Sequence, residues 1–194
     1  MTDQVVAAIK EGRPVVLPTD TVYGLCADAA SEAACRRALA LKSRPEEQPS
    51  ALLCADVDAL LERVPELPEA IVRALLPGGY TLVFANPGRR YPWLTGDTIG
   101  VRVPELPEVA ARVVGTIGAV MGTSANLHGG PDPRRLDEVP EKIRSACGAV
   151  VDGGALPGIP STVLDLTGAE PRVLREGAVS AREALARVGA VGRA

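Results

Sequence analysis

The segment from Pro18 to Leu25, PTDTVYGL, places two threonines and an aspartate where a predicted apolar strand ends. Ligands of open α/β sheets bind at strand ends, where hydroxyls and exposed backbone N–H groups are available. Thr21 is therefore a candidate ligand-binding residue. A strand that ends in an ordinary turn, here at Tyr23 and Gly24, has the same composition, so this segment alone does not separate the two interpretations.

Two cations follow at Lys42 and Arg44, in the proline-flanked segment KSRPEEQPSALL. A guanidinium presents a planar fork of donors and an ammonium presents a compact charge, and together they suit a triphosphate. Lys42 also stands at the predicted end of a helix, where the helix dipole favours a cation. Phosphate binding and helix-end stabilisation both remain open for this pair.

Arg102 stands between Val101 and Val103 in the segment DTIGVRVPELP. Neighbouring residues of a strand point to opposite faces, so Arg102 projects away from both valines. A charge on a strand buried on both faces requires an anion to compensate it. A carboxylate ligand and an internal Asp or Glu satisfy that requirement equally well.

Two further polar segments lie later in the chain. In VMGTSANLHGG, Ser124 and Asn126 supply hydrogen-bonding groups beside a glycine loop that permits close backbone approach. The loop is neither a Walker A nor a GxGxxG motif, and an Asn-containing turn is the alternative. Ser161 begins a predicted strand and Arg175 ends the next, where Arg175 either binds a phosphate or adds surface charge.

Composition limits the class of protein. The chain has 194 residues, 46% of them hydrophobic, which is enough for the core of one domain. A net charge of -3 does not attract polyanions in general, so a nucleotide or RNA site requires a local cluster of Arg and Lys. No stretch reaches the roughly 18 apolar residues of a membrane span. We therefore expect a cytoplasmic protein with no membrane association.

The nucleophiles argue against a hydrolase. His128 is the sole histidine, so a Ser-His-Asp or Cys-His mechanism would depend on one residue in a glycine-rich loop. The four cysteines contain no CxxC pair and are expected to be reduced and mostly buried, without a metal site. They are Cys26, Cys35, Cys54 and Cys147.

Strands and helices alternate along the chain, which predicts an α/β domain with a mixed sheet. Helical spacing and caps predict helices over residues 3–10, 31–41, 56–61, 68–76, 107–114, 134–147 and 180–188. Apolar runs between turn signals predict strands over residues 14–19, 50–55, 80–85, 99–103, 118–124, 149–154, 161–166 and 172–177.

The order of the segments is more specific than any one of them. PTDTVYGL, KxRP, PGGYT, VRVP, TSAN, PSTVLDL and RxG follow one another as in the YrdC-like (Sua5/YciO/YrdC) family, and the resemblance runs from Val5 to about Val179. It implies a twisted mixed sheet, parallel and antiparallel, flanked by helices around a concave cleft. It also implies one YrdC-like domain over residues 1–194, as in the short members of the family.

The resemblance implies a threonylcarbamoyl-AMP synthase, a nucleotidyltransferase that makes threonylcarbamoyl-AMP and pyrophosphate from L-threonine, bicarbonate and ATP. The product serves the threonylcarbamoyladenosine (t6A) modification of tRNA. Mg2+ is expected to arrive with ATP, with no permanently bound cofactor. A tRNA threonylcarbamoyl-transferase complex is the expected downstream partner, and direct contact with tRNA is left open.

Positions in the family motifs imply roles for individual residues. The implied threonine-binding residues are Thr21, Cys54, Arg102, Ser124 and Ser161. The implied ATP-binding residues are Lys42, Arg44, Gln48, Thr98, Asn126, Arg134 and Arg175, and Lys42, Arg44 and Arg102 are the implied catalytic residues. Two residues depart from the family pattern: Cys54 stands where longer relatives often have His, and His128 stands where Ser is usual.

Three alternatives use the same fold. One is a YciO-like paralogue that acts on another carbamoyl acceptor. Another is a module that binds RNA, including double-stranded RNA, which the acidic composition disfavours. The third is the carbamoyl-transfer domain of larger maturation enzymes, where it accompanies acylphosphatase and zinc-finger domains that this sequence does not contain.

Overall fold

The polypeptide alternates between short helices and short strands in this computed structural model, which describes residues 1–43 and 50–191. The helices are α1 (Thr2–Lys10), α2 (Glu32–Leu41), α3 (Val57–Arg63), α4 (Glu69–Leu75), α5 (Pro92–Thr95), α6 (Glu108–Ile117), α7 (Glu141–Ala146) and α8 (Ala181–Val191), with a 3-10 turn at Leu136–Glu138. Within these described ranges, no helix has the length and apolar character needed to cross a membrane.

In the described part of the chain, nine strands form one sheet in the order β7-β1-β2-β6-β3-β5-β4-β8-β9. Three neighbouring pairs are parallel, namely β1 with β7, β3 with β5 and β4 with β8, and the other five are antiparallel. The strands are β1 (Val15–Pro18), β2 (Tyr23–Asp28), β3 (Ala51–Cys54), β4 (Tyr80–Ala85), β5 (Thr98–Arg102), β6 (Ala119–Ser124), β7 (Ala149–Val150), β8 (Thr162–Asp165) and β9 (Arg172–Arg175). The predicted α/β class and mixed sheet are confirmed.

The two faces of the sheet are covered differently. Alternate strand residues such as Tyr80, Leu82 and Phe84 enter the larger core cluster, where α2, α3, α4, α7 and α8 pack. The opposite face carries the smaller cluster, in which Val5 of α1 and Val113 of α6 pack on β1, β3 and β6. Those two helices leave part of this second face uncovered, and that part forms a concave surface.

Most elements agree with the sequence prediction. The strand over residues 80–85 has the predicted bounds. Ser31 caps α2 as predicted, because its hydroxyl accepts a hydrogen bond from the Ala34 amide at 3.2 Å. The helix α5 was not predicted, since its four residues are too few to produce helical periodicity.

The structure corrects three of the predicted elements. Tyr23 and Gly24 form no turn but begin β2, whose first five residues are all buried, so no alternation of apolar and polar residues marks it as a strand. The single helix predicted over residues 134–147 is wrong, because Pro140 disfavours helical geometry at Val139 and separates the 3-10 turn from α7. The strand predicted over residues 149–154 ends at Val150, before a glycine-rich loop.

Gly177, in the RxG segment, lies where two chain segments pack backbone against backbone. A Cβ atom at this position would lie 2.1 Å from the Pro160 carbonyl oxygen and 2.8 Å from the Ser161 carbonyl carbon. Backbone atoms cannot rotate away as a side chain does. We expect Gly177→Ala to lower the free energy of unfolding by about 2 kcal/mol, measured by urea denaturation.

Gly168→Ala is the matched control. Its Cβ would meet just one atom, the Glu170 carbonyl oxygen, at 4.0 Å. This variant should be as stable as the parent within about 0.5 kcal/mol. Equal stability of the two variants would contradict the close approach described at Gly177.

Candidate active site

The uncovered part of the sheet encloses a cavity of about 610 Å³. Its floor is deep because small residues occupy the strand positions that face it. Gly100 of β5, Ala51 of β3 and Gly122 of β6 lie side by side in register. Polar side chains surround this floor at strand ends and in loops. The arrangement has the features of a ligand-binding site, with a largely preformed hollow and a few convergent polar groups.

Arg102 extends from the end of β5 into the cavity and is 9% exposed. Its Nη2 donates to Asp20 Oδ1 at 2.8 Å and to Thr21 Oγ1 at 3.3 Å. The internal carboxylate that the sequence left open is therefore present. Among the described residues, the buried Nε of Arg102 has no hydrogen-bond partner, so Asp20 and Thr21 do not use all the donors of the guanidinium.

Burial and charge act in opposite directions on this ion pair. Burial lowers the pKa of Arg102, while Asp20 opposes that change and the nearby positive charge of Arg175 adds to it. Burial raises the pKa of Asp20, and Arg102 partly offsets the rise. Each group thus stabilises the charged form of the other against desolvation.

Ser161 and Arg175 meet at the next part of the cavity wall. Arg175 donates from Nε and Nη2 to the Ser161 carbonyl oxygen at 3.1 and 2.8 Å. The Ser161 hydroxyl lies 2.7 Å from Thr81 Oγ1 and 3.3 Å from Arg175 Nη2. Two of the sequence candidates are therefore in contact, and Thr81 joins them as a residue that sequence reasoning missed.

Lys42 is buried at the C-terminal cap of α2, and its side chain lines the cavity. Its ammonium donates to Asn126 Oδ1 at 2.7 Å and to the Ser124 carbonyl oxygen. The Ser124 hydroxyl donates to the same Asn126 oxygen at 2.7 Å. The side chain thus reaches across to the TSAN turn, so stabilisation of the helix end does not account for its placement.

The structure brings most sequence candidates to one cavity but not all of them. Eight line it: Thr21, Lys42, Thr98, Arg102, Ser124, Asn126, Ser161 and Arg175. Cys54 does not, because it alternates with the cavity-lining Leu53 and points into the core on the other face. Arg134 is exposed and also lies outside the lining. Arg44 and Gln48 lie outside the described residues.

Other polar residues that line the cavity were absent from the sequence candidates. Asp165 ends β8 and Thr167 lies just beyond it. Hydrogen bonds from Thr167, together with Arg172, lower the pKa of Asp165 to about 2. Asp132 lies in the loop after the TSAN turn. Strand alternation could have identified Asp165, which stands four residues after the candidate Ser161 and so points to the same face. Asp132 has no such signal.

The described lining carries three cations, Lys42, Arg102 and Arg175, and two carboxylates, Asp132 and Asp165. Asp165 is already paired with Arg172. Arg102 is likewise paired with Asp20, yet the lining has three cations against two carboxylates in a chain whose net charge is -3. The cavity is suited to a ligand with more than one anionic group.

Comparison with known proteins gives one consistent family. A family model described as "Sua5_yciO_yrdC: Telomere recombination" matches residues 7–177. A protein named putative threonylcarbamoyl-AMP synthase from Mycobacterium tuberculosis is 35% identical, over 90% of this chain and 83% of that protein. Threonylcarbamoyl-AMP synthase from Stenotrophomonas maltophilia is 37% identical, over 78% of this chain and 85% of that protein.

Solved structures agree with the sequence relatives. Sua5 from Pyrococcus abyssi, in complex with L-threonine, superposes with a TM-score of 0.84 at 34% identity and covers 96% of this chain. This chain spans 57% of the Pyrococcus protein. YciO from Escherichia coli superposes with a TM-score of 0.77 at 27% identity, over 95% of this chain and 92% of that protein.

The Arg102–Asp20 pair predicts a pH-dependent loss of stability in Arg102→Ala. Without the guanidinium, burial raises the pKa of Asp20 further, so the ionised carboxylate destabilises the folded state at neutral pH. Protonation removes that charge, so the loss diminishes as the pH falls through the raised pKa. We expect a loss of about 2 kcal/mol near pH 7 and a smaller loss near pH 4.5, by urea denaturation.

The double variant Asp20→Asn/Arg102→Ala serves as the control. It carries no titrating carboxylate at position 20, so its loss of stability relative to Asp20→Asn should be the same at both pH values. A pH-independent loss in Arg102→Ala alone would show that Asp20 is not the group that depends on Arg102.

Proposed function

The chain belongs to the Sua5, YciO and YrdC family, and from this premise we propose that it is a threonylcarbamoyl-AMP synthase. It joins L-threonine, bicarbonate and ATP into threonylcarbamoyl-AMP and pyrophosphate. The observation that carries the proposal is the meeting of Arg102, Lys42 and Arg175 in one cavity. An amino-acid carboxylate and a triphosphate together require such a set of cations.

Thr21, Arg102, Ser124 and Ser161 are proposed to bind threonine. Arg102 is proposed to bind the threonine carboxylate, because a guanidinium lining the cavity can hold a carboxylate by paired hydrogen bonds. Hydroxyls of Thr21 and Ser161 lie beside this guanidinium and beside Arg175. The Pyrococcus Sua5 structure with L-threonine supports an amino-acid site in this fold.

Lys42, Asn126, Arg175 and Thr98 are proposed to bind ATP, together with Arg44 and Gln48, which lie outside the described residues. The Lys42 ammonium is held in place by Asn126, so it is preorganised for a phosphate oxygen. ATP enters as its magnesium complex, in which phosphates and water supply most of the ligands of the ion. No permanently bound cofactor is proposed.

The proposed reaction needs no protein nucleophile. The threonine amine and bicarbonate give a carbamate and water. A carbamate oxygen then forms a bond to the α-phosphorus of ATP, and the bond from that phosphorus to pyrophosphate breaks. The cations stabilise the charge that develops on the phosphates. Burial raises the pKa of Cys26, Cys35, Cys54 and Cys147 to about 12, so these thiols stay protonated and are poor nucleophiles.

The product is an activated acyl-adenylate, so a second enzyme must consume it. We propose that a tRNA threonylcarbamoyl-transferase complex transfers the threonylcarbamoyl group to tRNA for the t6A modification. The reaction is proposed to take place in the cytoplasm, where the four free cysteines remain reduced. The proposal does not require tRNA to contact this chain.

Arg102 provides the sharpest test of the catalytic site. Pyrophosphate release should depend on ATP, L-threonine and bicarbonate together. Arg102→Ala should lower kcat/KM about 100-fold, since it removes the partner of the substrate carboxylate. Arg102→Lys should be nearly as impaired, because a point charge does not replace a planar fork.

Arg112→Ala is the control for a general effect of removing an arginine. Arg112 is exposed on α6 and pairs with Glu108 of the same helix. The activity of the Arg112→Ala variant should equal that of the parent. Full activity of both Arg102 variants, or release of pyrophosphate without threonine, would contradict the proposed function.

Calorimetry tests the substrate class directly. L-threonine should bind about tenfold more tightly than L-serine, because one methyl group in a fitted pocket contributes on that order. The measurement is made with and without a non-hydrolysable ATP analogue. Equal affinity for the two amino acids would argue against threonine as the substrate.

A further inference from the structure

The connection from β7 to β8 crosses the edge of the cavity. We call residues 152–160 the strap; its sequence is DGGALPGIP. The strap forms no helix or strand, and Gly154 and Gly158 adopt positive φ angles of 74° and 79°. Such a glycine-rich segment loses much conformational entropy when it is ordered. Contacts with the rest of the molecule must therefore hold it in place.

Tyr23 supplies the polar contacts at the start of the strap. Its ring is fully buried, and its hydroxyl accepts a hydrogen bond from the Gly153 amide at 2.9 Å. The same hydroxyl lies 2.8 Å from the Gly154 carbonyl oxygen and 3.1 Å from Asp152 Oδ1, either of which accepts its proton. One phenol oxygen thus holds three consecutive residues of the strap.

The strap connects this anchor to two groups of the substrate site. Farther along, the Gly158 amide donates to the Thr21 carbonyl oxygen at 2.9 Å. The strap then enters the cavity wall at Pro160 and continues into Ser161. Thr21 contacts Arg102, and Ser161 contacts Thr81 and Arg175. The position of the strap therefore affects both Thr21 and Ser161.

We propose that Tyr23 is a positioning residue: its hydroxyl holds the strap against Thr21 and so keeps the amino-acid part of the cavity in its binding-competent form. This inference rests on the proposed synthase function. Tyr23 touches no reacting group, since its side chain is not part of the cavity lining. It acts through residues 152–158 on Thr21 and Ser161.

The contribution of the Tyr23 hydroxyl can be tested apart from that of its ring and backbone. The backbone of Tyr23 donates to the Pro133 carbonyl oxygen and accepts from the Ala125 amide, both at 2.8 Å. Tyr23→Phe keeps these bonds and the buried ring. It removes the oxygen alone and leaves the Gly153 amide and the Gly154 carbonyl without that partner.

The expected kinetic effect falls on binding. If the strap is correctly placed for only a fraction of the time, the apparent affinity for substrate falls by that fraction. Bound substrate restores the correct placement, so turnover of the saturated enzyme changes little. Loss of one buried hydrogen-bonding group should raise KM for threonine roughly five- to tenfold, with kcat within about twofold of the parent.

The experiment compares Tyr23→Phe with Tyr80→Phe in the full chain. Tyr80 is also buried, its hydroxyl has no hydrogen-bond partner among the described residues, and it does not line the cavity. Hydrogen exchange of residues 152–158 and steady-state kinetics are measured for both variants. We expect faster exchange of the strap and the rise in KM in Tyr23→Phe, and neither change in Tyr80→Phe.

Asp152→Ala provides a second variant at an exposed position. It removes the carboxylate that contacts both the Tyr23 hydroxyl and the Gly154 amide. It should also speed the hydrogen exchange of the strap and raise KM for threonine, but by less than Tyr23→Phe does. Unchanged exchange in Tyr23→Phe, or a lower kcat at unchanged KM, would overturn the role of Tyr23. Absence of turnover in the parent would instead refute the synthase function. In that case, hydrogen exchange of residues 152–158 and calorimetry with threonine would still test the role of the strap.

Discussion

A buried positive charge at Arg102 constrains the whole cavity. A guanidinium that is 9% exposed is stable only with an anion beside it, and Asp20 supplies one at 2.8 Å. Asp20 in turn is held where the first strand ends, in the segment that also places Thr21. The distance of 82 residues between Arg102 and Asp20 in sequence means that this pair joins β5 to the β1–β2 connection. The candidate site is therefore built around an interaction that also stabilises the fold.

The sheet separates packing from chemistry by the alternation of its strands. On β5, Ile99 and Val101 enter the larger core, while Gly100 and Arg102 face the cavity. A substitution on one face does not change the side chains on the opposite face. The core can therefore be well packed while the opposite face keeps a hollow. Small residues such as Gly100 and Gly122 leave the space that a ligand fills. The cavity therefore results from the small residues on one face of the strands, and no second domain is needed to form it.

Sequence reasoning selected residues that gather in one cavity, although it misplaced some helices and strands. Arg102 was predictable because a charge between two valines on a strand has few explanations. Thr81 was missed because one threonine in a strand carries no local signal, and its contact with Ser161 joins residues 80 positions apart. Cys54 was assigned by motif position, but its place on the core face follows from strand register. The single domain over residues 1–194 stays a prediction.

The cavity favours catalysis by placement over catalysis by a reactive side chain. Lys42 and Asn126 are fixed to each other, and Ser161 is fixed between Thr81 and Arg175. Groups fixed in this way need little reorganisation when charge develops on a bound ligand, and this preorganisation is the source of electrostatic catalysis. Such a site depends on the segments that carry its residues as much as on the residues themselves. A buried tyrosine distant from the chemistry can therefore control binding through one hydroxyl.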